Sequence, residues 1–120
     1  MIKRIVVAGC RNYSNYAQAR EFILDCINSF ETDENLILIS GGCRGADAPG
    51  ERFATEFGYK TERYIAEWEK YGRAAGPERN HKMAEIGDLV VCFWDGKSKG
   101  TKSMINCSEK LNKEIRILYI

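Results

Sequence analysis

The sequence has one histidine, two prolines and no C-x-x-C pair in its 120 residues. Its five cysteines, Cys10, Cys26, Cys43, Cys92 and Cys107, are odd in number and widely spaced. Neither a clustered zinc set nor a disulfide framework is therefore expected, and no metal ligands are assigned. Buried free thiols are expected instead; Cys10 and Cys43 each follow a strand and would sit near one another. The lone His81 has no evident carboxylate partner and reads as an exposed or structural histidine rather than a base. Charge of one sign is lacking too. Eighteen basic residues against seventeen acidic give a net charge of +1, which argues against a generic polyanion binder. No apolar run approaches the roughly 18 residues of a membrane span. Ile5–Ala8 is too short for a signal-peptide core and has no cleavage site after it, so a cytoplasmic location without membrane association is expected.

What is present is a chain 44% hydrophobic, enough for one domain over residues 1–120 and too little for two. Ile5–Ala8, closed by Gly9, and Leu36–Ile39 are continuous apolar runs of the kind that form buried parallel strands. Between them Tyr16, Ala19, Ile23, Cys26, Ile27 and Phe30 fall at three- and four-residue spacing, marking a helix that Ser14 or Asn15 caps. Phe53, Ala54 and Phe57 line a second helix ended by Gly58, and Lys60–Ile65 alternates like an edge strand. Glu67–Pro77 reads as irregular, with Pro77 opening a helix that buries Met83, Ala84 and Ile86. Asp88–Phe93 is a fourth strand, Thr101–Leu111 a helix and Ile115–Ile120 a last strand. This alternation predicts an α/β, Rossmann-like domain: a five-stranded parallel sheet with helices on both faces.

Two of these strands end in glycine loops that open helices. The first loop is Ser40-Gly41-Gly42-Cys43-Arg44-Gly45-Ala46-Asp47; the second is Asp95-Gly96-Lys97-Ser98-Lys99-Gly100-Thr101. A glycine turn at a helix N-terminus aims several backbone amides at one spot, and the helix dipole adds about half a positive charge there, which suits phosphate. The second loop matches neither a Walker A loop nor a G-x-G-x-x-G fingerprint. Both loops, with Gly9 and Arg11, are expected to converge beyond the carboxyl ends of the strands, where open parallel sheets bind ligands. A nucleotide or nucleotide-derived ligand is the expected occupant, with no further cofactor required. Ser40–Gly45 and Gly96–Thr101 would hold phosphate and ribose, and Asp47 would complement the dipole or reach a ribose hydroxyl. Arg44 and Arg79 would neutralise charge, with Asn80 beside them. Trp68 or Tyr71 would cover a base, or fold back onto the core.

Three segments in order, Ser40–Asp47, Ala66–Trp68 with Tyr71–Arg73, and Ala75–Asn80 with Met83, resemble the DUF2493 family, YspA/YpsA-related members of the SLOG superfamily. That superfamily also includes the "lonely guy" phosphoribohydrolases and DprA-type DNA-processing proteins. The resemblance implies a Rossmann-like sheet and a nucleotide-derived ligand under the glycine loops. It further implies a ligand sensor or nucleotide-processing protein of the sort found in phages and mobile elements, with a homodimer in prospect because related enzymes self-associate. Set against the lonely-guy pattern, Arg79-Asn80 matches an Arg-Lys pair, and the second loop carries two extra residues between its glycines. The position of the catalytic Glu falls on Met104. A thioether neither steadies an oxocarbenium ion nor acts as a base. A hydrolase cleaving an N-glycosidic or phosphoester bond, with Arg79 and Glu67 in catalytic roles, is thus the alternative, its carboxylate coming from Asp47, Glu67 or Asp95. Single-stranded DNA binding is a third reading, lowered by the balanced charge and the lack of a basic aromatic stripe.

Overall fold

A computed structural model describes residues 2–9, 13–29, 35–42 and 47–120, with the Asp47 side chain outside that set. Strands β1 (Ile2–Gly9), β2 (Asn35–Ser40), β3 (Lys60–Arg63), β4 (Leu89–Trp94) and β5 (Glu114–Tyr119) form one sheet in the order β3-β2-β1-β4-β5. Every pairing is parallel. The helices are α1 (Tyr16–Ser29), α2 (Asp47–Phe57), α3 (Trp68–Tyr71), α4 (Ala75–Ile86) and α5 (Lys99–Lys110).

The apolar runs are continuous because the central strands are covered on both sides, and successive side chains point to opposite faces. Ile5, Val7, Leu38, Val91 and Phe93 pack with Ala19 and Ile23 of α1 and Phe53 and Ala54 of α2. Val6, Ile39, Val90 and Cys92 pack with Met83 and Ala84 of α4 and Met104 and Ile105 of α5. The sheet is therefore flanked by helices on both faces, as the alternation predicts. The α1 N-terminus is capped by Asn15, whose side-chain oxygen accepts the Gln18 amide at 3.2 Å.

One close approach governs how α2 lies on the sheet. A Cβ built on Gly50 would sit 2.8 Å from Val7 Cβ, in the middle of β1. Helix propensity alone favours Ala over Gly by about 1 kcal/mol, whereas overpacking costs about 1–3 kcal/mol. Val7 has no room to yield, so Gly50→Ala is expected to destabilise by about 1 kcal/mol net. A fall in the urea midpoint at unchanged slope would show it; a raised midpoint would contradict the packing argument.

The segment Glu67–Pro77 departs from the irregular structure expected. It forms α3, a 3-10 turn over Gly72–Ala74 and then the first turn of α4, which places Pro77 third in its helix rather than first. One helical turn is too short to display a 3.6-residue repeat. The first-turn amides of a helix need no intrahelical acceptor, so proline fits at its third position as well.

Candidate functional site

The chain steps outward from β1 to β2 and β3, then returns to the other side of β1 for β4 and β5. The strand order therefore reverses between β1 and β4, the place where such sheets leave a crevice beyond their carboxyl ends. Gly9 ends β1 level with Phe93 of β4, one residue short of the strand's last, Trp94.

The described part of the first glycine loop is held by a side-chain network. The Ser40 hydroxyl donates to Glu51 Oε2 at 2.7 Å, and Ser40 Oγ accepts the Gly42 amide at 3.0 Å. Arg63, paired with Ser40 in the β2–β3 register, donates from Nε to the same Glu51 oxygen at 3.0 Å, and its Nη2 reaches Oε1. That carboxylate raises the Arg63 pKa, keeping the guanidinium charged. Gly42 adopts φ +72°, and a Cβ there would fall 2.5 Å from Ile65 Cδ1. The backbone angle requires glycine, whereas the end of the exposed Ile65 side chain could turn aside. Ser40 is 2% exposed, so its hydroxyl shapes the loop and is not presented to a ligand.

Arg79 and Asn80, adjacent on α4, reach toward different loops. Arg79 Nη1 donates to the Gly41 carbonyl at 2.9 Å and to the Tyr64 carbonyl at 3.5 Å, while Nε donates to Asn80 Oδ1. The Asn80 amide donates to the Gly100 carbonyl at 3.4 Å and to Ser103 Oγ at 3.5 Å. This one dipeptide fastens the two glycine loops to the same helix. Both residues act on loop backbone in this structure. Asn80, 7% exposed, is a brace and not a surface donor.

The second loop differs from the expected open row of amides. Asp95 Oδ1 accepts the amides of both Lys97 and Ser98 at 2.8 Å, and Gly96 turns the chain at φ +81°. The carboxylate takes up two donors otherwise available to a phosphate. The helix also starts earlier than expected: Lys99, Gly100 and Thr101 form the first turn of α5. Thr101 is buried, its Oγ1 directed to Ser98 Oγ at 3.4 Å, so its side chain too serves the fold. The amides of Lys99 and Gly100 open the helix with no intrahelical acceptor, beside the exposed Lys97 and Lys99 side chains. Gly100 has a negative φ region and nothing within 4 Å of a built Cβ. Neither backbone angle nor packing asks for glycine at this position.

Glu67 precedes α3 and accepts the Lys70 and Tyr71 amides on its carbonyl; its carboxylate points to Lys82 Nζ at 3.9 Å. Trp68 is 57% exposed, so it does not fold back onto the core. Met104 is 1% exposed within the α4–α5 side of the core, which places no carboxylate there. His81 does have an acidic neighbour, Glu85 Oε2 at 3.5 Å one turn on, but the pair is exposed. Cys26 and Cys92 are buried, and burial pushes the Cys26 thiol up to about 11, which keeps it protonated and inert. Arg11, Arg44, Gly45, the Asp47 side chain and the Cys10–Cys43 pair lie outside the described residues. Glu51, Arg63 and Ile65 carry no motif; register opposite Ser40 is the signal that would have found Arg63.

The model of the YspA, cpYpsA-related SLOG family matches residues 3–71. The chain belongs to that family. The Gene 61 protein of Mycobacterium phage D29 is 28% identical over 115 residues, covering 91% of this chain and 90% of the phage protein. Among solved structures, DNA processing protein A (DprA) of Streptococcus pneumoniae superposes with a TM-score of 0.70 at 19% identity over 98% of this chain. This chain spans half, 50%, of that protein's chain. TM1055 superposes with a TM-score of 0.65 at 20% identity, over 96% of this chain and 72% of its own. These two share the Rossmann-like fold, and a phage relative accords with the phage occurrence that the resemblance implies. Among the described residues, no helix is long and apolar enough to cross a membrane.

Proposed function

We propose that the chain binds a nucleotide or nucleotide-derived ligand at the carboxyl edge of the sheet, as a sensor or nucleotide-processing protein. The opening turn of α5 would receive the phosphate through the Lys99 and Gly100 amides, with Lys97 and Lys99 supplying charge. The first glycine loop would form the opposite wall. Membership of the SLOG family supports the ligand class, and the strand reversal between β1 and β4 supports its location.

The observation that carries the proposal is Gly100. Gly100 is the second residue of α5, where glycine costs less than the roughly 1 kcal/mol of a helix interior, and neither φ nor a neighbouring atom accounts for it. Space for a ligand against the backbone does account for it. Of the two acidic candidates for a hydrolase that are described, Asp95 is engaged by its own loop and Glu67 faces Lys82. Binding is accordingly favoured over bond cleavage.

Thermal unfolding with a panel of nucleoside mono- and diphosphates and ADP-ribose tests this. A ligand held only by the folded state, at a hundred times its Kd, adds about 2.7 kcal/mol, or roughly 10 °C for a chain of this size. Gly100→Val is expected to lose that shift while its unliganded midpoint stays level or rises. A shift that survives in Gly100→Val, or a wild type that no compound stabilises, would refute the assignment.

A further inference from the structure

We infer that Ile65 and Trp68 form a stacking platform for the ligand's base, so that the site selects a purine nucleotide over the corresponding sugar phosphate; this rests on the nucleotide reading above. Ile65 is 62% exposed and Trp68 57%, large apolar areas to leave in water. The segment that carries them is anchored at Tyr64. The Tyr64 amide donates to the Ser40 carbonyl at 2.8 Å, the Tyr64 carbonyl accepts from Arg79, and Ala66 between the two is buried. The segment that carries the exposed pair is thus held against the first glycine loop and α4.

Both side chains border the crevice elements already described. Ile65 Cδ1 occupies the space beside Gly42, and Trp68 Cη2 lies 3.5 Å from where a Cβ on Gly76 would be, in the first turn of α4. Arg79, which clasps Gly41, is one turn further along that helix. An apolar face next to a loop-and-helix anion niche matches the two halves of a nucleotide, a flat base and a charged phosphate. Stacking on such a face is tolerant of base identity, because every base offers a π surface and larger rings gain more. Purines are therefore expected to bind more tightly than pyrimidines.

Titration calorimetry with AMP, CMP and ribose 5-phosphate separates the halves. Wild type is expected to bind AMP more tightly than CMP, and both more tightly than ribose 5-phosphate. Trp68→Ala is expected to weaken AMP about ten-fold, equivalent to about 1.4 kcal/mol, and to leave ribose 5-phosphate unchanged. Ile65→Ala should weaken AMP about three-fold, and Trp68→Phe should restore most of the loss. Both positions are exposed, so these variants keep the fold. Equal affinity of wild type for AMP and ribose 5-phosphate would overturn the platform and leave the phosphate site standing. So would a Trp68→Ala that binds AMP normally or loses both compounds alike. Failure of all three compounds to bind would sink the nucleotide reading together with the platform.

Discussion

Arg79→Ala is expected to weaken nucleotide binding roughly 100-fold and to lower stability by about 2–3 kcal/mol. The guanidinium donates to two main-chain carbonyls, those of Gly41 and Tyr64, that belong to separate segments of the crevice wall. Hydrogen bonds with a charged partner contribute about 1.5–3 kcal/mol each, and a carbonyl stranded without its donor costs about 1–3 kcal/mol. Gly41 is buried, so water does not readily replace the lost donor. The binding loss follows if the same bonds hold the first glycine loop at the spacing the ligand needs. In the variant the ligand must itself order that loop, and a coupling of up to about 3 kcal/mol, the low end for two such bonds, corresponds to the 100-fold stated. Arg79→Lys distinguishes bracing from charge. A lysine keeps the charge but has one nitrogen in place of the rigid guanidinium, whose Nη1 reaches the two carbonyls while Nε holds Asn80 Oδ1. It should therefore bind nearly as poorly as Arg79→Ala. If Arg79→Lys binds as wild type does, the residue acts through its charge on phosphate and the brace is not its task. Calorimetry for affinity and urea unfolding for stability read the two effects separately.

The sheet was legible because its strands are short runs of β-branched and aliphatic residues between glycine-bearing turns. Continuous apolar runs arise only where both faces are covered, so Ile5–Ala8, Leu36–Ile39 and Leu89–Phe93 declare their own central position. The edge strand is marked by the opposite sign: the expected Lys60–Ile65 strand is polar over its first four residues, and β3 itself ends at Arg63, before Tyr64 and Ile65. The site was less legible, and for a different reason. Motif reasoning treats each polar residue near a glycine loop as facing the ligand, whereas loops of this kind need internal partners first. Ser40, Asn80 and Thr101 are all less than a tenth exposed, and each holds loop backbone or a neighbouring hydroxyl. Asp95 quenches two amides of the turn it begins. Such assignments depend on which face of a turn a side chain takes, and spacing along the chain does not encode that. Glu51 shows the same limit from the other direction. It sits on α2 eleven residues after Ser40, and only the packing of α2 against the end of β2 brings its carboxylate to the hydroxyl.

Phe93→Ala is expected to carry the largest cost in stability, about 4 kcal/mol, lowering the midpoint of thermal unfolding by roughly 15 °C. Phe93 is fully buried in β4, the strand flanking the reversal point, and its ring meets two others. It stacks on Tyr13 at a centroid distance of 4.9 Å and an interplanar angle of 25°, and meets Phe22 of α1 edge-on at 5.7 Å. Removing the ring leaves a cavity that the sheet on one side and α1 on the other hold open, and aromatic pairs add about 0.5–1.5 kcal/mol beyond area. Tyr13 magnifies the effect. Its hydroxyl is tied to Gln18 Oε1 at 2.8 Å, on the first turn of α1, so the ring has little freedom to fall into the void. Against a whole-domain stability of about 5–15 kcal/mol, the loss would leave the variant folded but marginal. Phe93→Leu fills most of the same volume and should cost less than about 1.5 kcal/mol beyond the lost ring contacts. Scanning calorimetry on the three proteins decides the matter: an alanine variant within about 1.5 kcal/mol of wild type would mean that α1 collapses onto β4, and that this helix is not the rigid wall the packing describes.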